Sequence, residues 1–200
     1  MRLYLTRHGE TEGNFNGRYC GICDTPLTER GKAQGLELSL KLRGIYFDDI
    51  YVSPLKRCRE TLSLALGNEI LGREEERLRE RSFGIFENKT YEEILERYPE
   101  EERLWSEDWK SYRIPGGEST MEAYERIKSF IQELEEQAKM EEALEERNIL
   151  IVTHGGIIKL FLCYVLGENL DLFWKLKSDT ASVSILSCSQ GFWSIEKVNC

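Results

Sequence analysis

Ile149–Gly167, ILIVTHGGIIKLFLCYVLG, is the most hydrophobic window of the chain, and its reading decides the fold. It approaches the length of a membrane span, yet His154, Lys159 and three glycines interrupt it. A buried strand, a glycine turn and a core helix fit better. Working outward, Leu3–Thr6 is a short apolar run with a β-branched end, and Ile50–Val52 and Ile149–Thr153 read likewise as buried strands. Each precedes a turn and a helical stretch. Thr28 caps a predicted helix running to about Arg43. Ser53-Pro54 supplies an N-cap and an N1 proline for a second, ending near Gly67-Asn68. Ser119-x-x-Glu122 is a capping box opening a long helix, whose apolar residues Tyr124, Ile127, Ile131, Leu134 and Ala138 recur at intervals of 3 and 4. Ala181–Leu186 and Phe192–Val198 flank Ser187–Gly191 as a hairpin or neighbouring strands.

Alternating strands and helices predict an α/β fold, a three-layer sandwich with a mostly parallel central sheet flanked by helices. Two hundred residues suit about one domain, taken as 1–200, with no internal repeat or linker. The segment from about 84 to 117 breaks the rhythm with Phe86, Tyr91, Tyr98, Trp105, Trp109, Tyr112 and a Pro115-Gly116-Gly117 turn. It reads as a small cap insertion. Its aromatics either pack locally or face a ligand from the edge of the sheet.

With 27 basic and 36 acidic residues the formal charge is −9, the wrong sign for a polyanion binder, so no nucleic acid partner is expected. Much of the acid lies in Gln132–Arg147, read as a solvated helix face. The start MRLYLTRHGE has no basic region followed by a continuous apolar stretch and cleavage site. The expectation is therefore a cytoplasmic protein with reduced cysteines and no membrane partner. Cys20 and Cys23 form a C-x-x-C pair, but no second pair or ligand cluster follows, so no metal is expected.

The chain has two histidines, and both follow apolar strand candidates, in Leu5-Thr6-Arg7-His8-Gly9 and Val152-Thr153-His154-Gly155. In an open α/β sheet the ligand crevice lies beyond the carboxyl ends of the strands, so both imidazoles are expected there together. Arg7 adjoins His8, and Arg57 lies in the first turn after Ser53-Pro54. Arginine suits bidentate phosphate binding, and a helix N-terminus favours an anion. The combination points to a phosphoryl pocket. A neutral imidazole can attack phosphorus and carry the phosphoryl group, while guanidinium groups disfavour imidazolium and stabilise the equatorial oxygens. There is no G-x-x-x-x-G-K-[ST], no G-x-G-x-x-G and no cysteine followed six positions later by arginine, so P-loop and cysteine-dependent phosphate chemistries are unsupported.

Arg7-His8-Gly9-Glu10-Thr11 resembles the hallmark of the histidine phosphatase, or phosphoglycerate mutase-like, superfamily. The resemblance extends through Asn14, Cys20-Gly21, Asp24-x-Pro26-Leu27-Thr28-x-x-Gly31, Ser53-Pro54-Leu55-x-Arg57-x-x-x-Thr61, Leu78-x-Glu80-x-x-Phe83-Gly84 and Val152-Thr153-His154-Gly155-Gly156. It implies that His8 is the phosphorylated nucleophile and that Arg7, Asn14, Arg57 and His154 hold the phosphoryl oxygens. Glu80 would be the proton donor, chosen over Glu74, Glu75, Glu76 and Glu87 by the match through Phe83-Gly84. Glu10 reads as a structural anchor of the first loop. Many relatives carry a hydroxyl residue where Cys20 stands, and a thiol is a poorer donor. The backbone of Gly21 could still contribute an N–H, and Gly155 joins it as a binding position.

Within the superfamily the chain is most similar to the α-ribazole phosphatases of cobalamin biosynthesis. The match runs through MRLYLTRHGETEGN, Trp105-x-x-x-Trp109, Ile114-Pro115-Gly116-Gly117-Glu118-Ser119 and Phe192-Trp193. A benzimidazole riboside 5′-phosphate would suit an aromatic cap. The resemblance thus implies a cofactor-free hydrolase acting on a small-molecule phosphomonoester, as monomer or homodimer. The alternatives are a phosphatase of a sugar phosphate or phosphoglycerate, a phosphoglycerate mutase, and a non-catalytic interaction protein of the same fold.

Overall fold

Strand β1 (Arg2–Arg7) alternates its side chains between two buried layers, which is why it reads as continuously apolar. Leu3 and Leu5 face one apolar cluster, with Ile149 and Ile151 from β4 (Asn148–Thr153) and residues of helices α6 (Thr120–Met140) and α7 (Gly155–Val165). Tyr4 faces the other, with Leu150 and Val152 of β4 and residues of α2 (Glu29–Lys41) and α3 (Lys56–Leu66). The result is a three-layer α/β/α sandwich. The computed structural model describes residues 1–140 and 147–200.

The sheet has six strands in the order β3-β2-β4-β1-β5-β6, where β2 is Asp49–Val52, β3 Arg73–Glu74, β5 Val183–Ser189 and β6 Phe192–Lys197. It is mixed. β3, β2, β4 and β1 pair in parallel, while β5 runs antiparallel to β1 and β6 antiparallel to β5. The predicted hairpin is present, but its first strand continues to Ser189. The turn shrinks to Gln190 and Gly191, both at positive φ (51° and 83°), as a two-residue hairpin requires.

Thr28 caps α2 by accepting the Gly31 N–H, and Ser119 and Glu122 close the predicted box at the start of α6. The buried stripe of α6 runs through Tyr124, Ile127, Ile131 and Leu134 and fades at Ala138, which is half-buried. The acidic run Gln132–Arg147 is more than a solvated face: Glu135 accepts from Tyr164 Oη at 3.1 Å and Trp193 Nε1 at 2.7 Å. Residues 141–146 of that run lie outside the described residues.

The predicted start of α3 is corrected. Leu55, not Ser53, is the N-cap residue, and it offers no side-chain cap. The carboxylate of Asp24 fills that place from far along the chain, accepting from Lys56 N at 2.5 Å and Arg57 N at 3.3 Å. Ser53 is left free to serve the site.

The segment 84–117 carries two short helices, α4 (Tyr91–Arg97) and α5 (Pro99–Glu107), around a cluster of Phe86, Ile94, Trp105 and Ile114. Most of its aromatic content is spent on this local core.

Candidate active site

Parallel pairing of β1 with β4 sets Arg7 opposite Thr153, so the residues that follow, His8 and His154, leave the same edge of the sheet side by side. Their ring centroids are 5.1 Å apart, and both are buried. Arg57, one residue into α3, is 2% exposed and enters between them. Its Nε lies 3.3 Å from His8 Nε2 and 3.3 Å from His154 Nδ1. The remaining donors are held from behind: Nη2 donates to Gly21 O at 2.6 Å and Nη1 to Cys23 O at 2.7 Å. Asp24 adds a 3.5 Å ion pair.

These partners assign the tautomers. His8 Nδ1 donates to Gly9 O at 2.7 Å, leaving Nε2 with its lone pair. His154 accepts from Arg57 at Nδ1, so its Nε2–H donates to Ser53 Oγ at 2.7 Å. Burial holds both imidazoles well below their usual pKa of 6.5. The nearby Arg57 adds to the effect in each, as does Arg7. Both rings are therefore neutral near pH 7. Close backbone approach at this edge needs glycine: a Cβ on Gly9 would stand 2.3 Å from Gly31 O.

Arg7 lies beside this pair, donating through Nη1 to Ser178 O at 2.6 Å, while its Nε has no partner. A Cβ at Gly155 would meet that Nε at 3.2 Å, so the glycine keeps the approach open. Glu80 is fastened to the start of α7, its Oε2 accepting from Gly156 N at 3.0 Å and its Oε1 from Arg81 N at 3.0 Å. Asn14 sits in α1 (Glu12–Phe15), where its Oδ1 accepts from Thr11 N and Thr11 Oγ1, both at 3.1 Å. That leaves the Nδ2 end as its free donor. The expected donor at Gly21 is already engaged: its N–H donates to Glu87 Oε2 at 3.1 Å. Glu10 ties the first loop to α2, accepting from Thr28 Oγ1 at 2.9 Å.

Two residues that matter here were not expected. Glu87 accepts backbone N–H groups from Gly21, Ile22, Cys23 and Phe83, and so shapes the loop that braces Arg57. Ser53 fixes the ring of His154. The sequence marked Ser53 as a helix cap and a motif position and Glu87 as one of the carboxylates near Phe83-Gly84, and neither signal pointed to these bonds. The thiols are unpaired. Burial pushes Cys58 up to about 12, whereas the neighbouring Cys23 draws Cys20 down to about 7.

Next to Glu80 opens a cavity of about 220 Å³ lined by Tyr19, Glu80, Arg81, Phe83, Trp105, Thr120, Ala123, Gly156, Lys159, Leu160, Phe173 and Trp174. Of the aromatics expected to face a ligand from 84–117, only Trp105 lines it. The opposite wall comes from Phe173 and Trp174 in a short 3₁₀ segment, Leu170–Lys175, against which Trp109 packs at 5.6 Å from each ring. Among the described residues, no helix is long and apolar enough to cross a membrane.

A family model described as the histidine phosphatase superfamily (branch 1) matches residues 3–200. Phosphoserine phosphatase 1 of Hydrogenobacter thermophilus is 34% identical over 200 residues, covering 100% of this chain and 92% of that protein. The adenosylcobalamin/alpha-ribazole phosphatase of Escherichia coli is 31% identical, covering 100% of this chain and 96% of its own. The crystal structure of the alpha-ribazole phosphatase from Shigella flexneri superposes with a TM-score of 0.90 at 31% identity, covering 100% and 96% of the two chains.

Proposed function

We propose, for a chain that belongs to the histidine phosphatase superfamily, that His8 is the nucleophile of a metal-independent phosphomonoesterase whose substrate is α-ribazole 5′-phosphate. The observation that carries the reading is Arg57 Nε lying 3.3 Å from a ring nitrogen of each histidine. One guanidinium thus marks the place where a phosphoryl oxygen would sit within reach of both rings.

Substrate entry exchanges the Arg57 hydrogen bonds to His8 and His154 for bonds from Arg57, Arg7 and the Asn14 amide to phosphoryl oxygens, and His154 joins them by taking its proton at Nδ1, Ser53 Oγ then donating to its Nε2. The lone pair of His8 Nε2 then forms the N–P bond as the ester P–O bond breaks. Glu80 gives its proton to the departing alkoxide. In the second step Glu80 takes a proton from water, the water oxygen bonds phosphorus, and the N–P bond breaks. Charge developing on the equatorial oxygens is met by preorganised guanidinium groups. Glu87 is unsuited to the acid's role, since four backbone N–H groups already occupy its oxygens.

The aromatic walls of the adjoining cavity, with Trp105 and Trp174 among them, support a benzimidazole riboside as the alcohol. Residues of about 84–117 act in this reading as a cap on a single domain of 1–200. The test is phosphate release from α-ribazole 5′-phosphate in EDTA, beside the His8→Ala variant and a panel of sugar phosphates, nucleotides and phosphoglycerates. His8-dependent release with preference for the riboside supports the proposal. Preference for another ester refutes the substrate, and full activity without His8 refutes the mechanism.

A further inference from the structure

The reaction leaves the C-x-x-C pair unused. Cys20 and Cys23 are half-buried, carry no disulfide, and hydrogen-bond each other through their thiols. They stand at the two ends of the turn that braces Arg57, whose Nη2 donates to Gly21 O at 2.6 Å and Nη1 to Cys23 O at 2.7 Å. The turn has little room. A Cβ on Gly21 would overlap Arg81 O, and one on Gly13 would overlap Cys20 Sγ. Gly13 precedes Asn14 in α1, so the Cys20 sulfur also abuts the helix that carries the Asn14 amide.

The two thiols differ in reactivity. The hydrogen bond from Cys23, helped by Thr25 and the nearby Arg57, draws Cys20 down to about 7, so roughly half of it is thiolate at neutral pH. That same bond is the first cause that keeps Cys23 protonated. A partly exposed thiolate with a second thiol in contact is the arrangement of an oxidisable cysteine and its resolving partner. Cys58, fully buried beside His154 and pushed up to about 12, has neither property.

We propose that Cys20 is a redox modification site, oxidised by a hydroperoxide and resolved by Cys23 as a reversible disulfide that shifts the Arg57 brace and turns the enzyme down. The Cys20 thiolate takes one oxygen of the hydroperoxide as the O–O bond breaks, and the departing oxygen takes up the proton that Cys20 had lost. Cys23 Sγ then bonds Cys20 Sγ, the S–O bond breaks, and hydroxide leaves with the Cys23 proton as water. Two electrons pass from the sulfurs to the hydroperoxide, and an added dithiol returns them. A disulfide brings the sulfurs well inside hydrogen-bond distance, so the backbone between them has to move, and with it the Gly21 and Cys23 carbonyls. The loss of activity rests on the reading of Arg57 as a phosphoryl-binding group.

The test is hydrolysis of p-nitrophenyl phosphate before and after hydrogen peroxide, then after dithiothreitol, for the wild-type chain and for Cys20→Ser and Cys23→Ser. Peroxide should lower wild-type kcat/KM by at least about tenfold, and dithiothreitol should restore it. Both variants should keep the activity of their untreated form; because the ratio is taken within one protein, differences in folding cancel. In the wild-type chain the tryptic peptide Tyr19–Arg30, which holds both cysteines, should become lighter by two hydrogens. Absence of that bond, undiminished activity once it has formed, or an equal loss in both variants overturns the proposal. If the reduced protein releases no phosphate, the phosphatase reading fails instead. The imidazole proton resonances then decide, since Arg57 Nε is bonded to both rings. A shift on oxidation that dithiothreitol reverses sustains the proposal, and unmoved resonances remove it.

Discussion

The phosphoryl side and the alcohol side of the site are built in opposite ways. On the first, His8 and His154 hang from neighbouring parallel strands, and Arg57 is bonded to both rings and to two carbonyls behind it. On the second, Tyr19, Trp105, Phe173 and Trp174 come from loops and short helices, and Arg81 and Lys159 rest on rings, Arg81 with its Nη1 unpartnered. Strand register and a braced helix start hold the chemistry in place, whereas loop packing leaves specificity adjustable.

That contrast breaks most easily at its rigid half. His8→Ala should lower turnover by roughly 10³-fold or more, read as phosphate release, while circular dichroism and the melting profile stay close to wild type. Arg57→Met should reduce kcat/KM by about 10²–10³-fold. It removes a charge from between the rings, so it should also raise both imidazole pKa values toward 6.5. Glu80→Gln should cost roughly 10²-fold with an alkyl phosphate and much less with p-nitrophenyl phosphate, whose leaving group needs no proton. On the adjustable side, Trp174→Ala should raise KM by up to about tenfold with kcat nearly kept, since the ring is half exposed and its loss is mainly lost stacking.

A pH titration sharpens the comparison further. The two histidines give two sets of imidazole proton resonances, and neither should titrate with a midpoint near 6.5 in the folded protein. The unfolded chain takes up these protons as pH falls through about 6.5, and the folded chain does not. Stability from this source is complete above that pH and declines as acid carries the protein from there toward the lowered folded-state values. Resonances moving at pH 6.5 would show that the rings are not held neutral.

The strongest features were legible because they were local. Two histidines after two apolar strands fixed the sheet edge, and capping residues such as Thr28 and Ser119 marked helix starts. What was hidden is carried by side chains that act across the chain. Asp24 caps a helix beginning at Lys56, which no reading of Ser53-Pro54 could reveal, because a side-chain carboxylate can replace a local cap from any distance in sequence. Phe173 and Trp174 lay outside the aromatic segment that drew attention, and the packing of Trp109, with the Lys110–Asp171 ion pair beside it, brings the two together. The edge strand β3 spans two residues, too short for any periodic signal.

Glu87 has a consequence for anyone wishing to exchange specificity modules among such proteins. Its carboxylate suspends the loop that braces Arg57, and Tyr19 is stitched to the same stretch through Lys89 O and Asn88 N at 2.9 and 2.7 Å. A graft cut at residue 84 would carry off part of the reaction centre's scaffolding with the recognition elements. The workable seam lies between Lys89 and Thr90, so that the Thr90 cap travels with α4 and the phosphoryl machinery stays with its host.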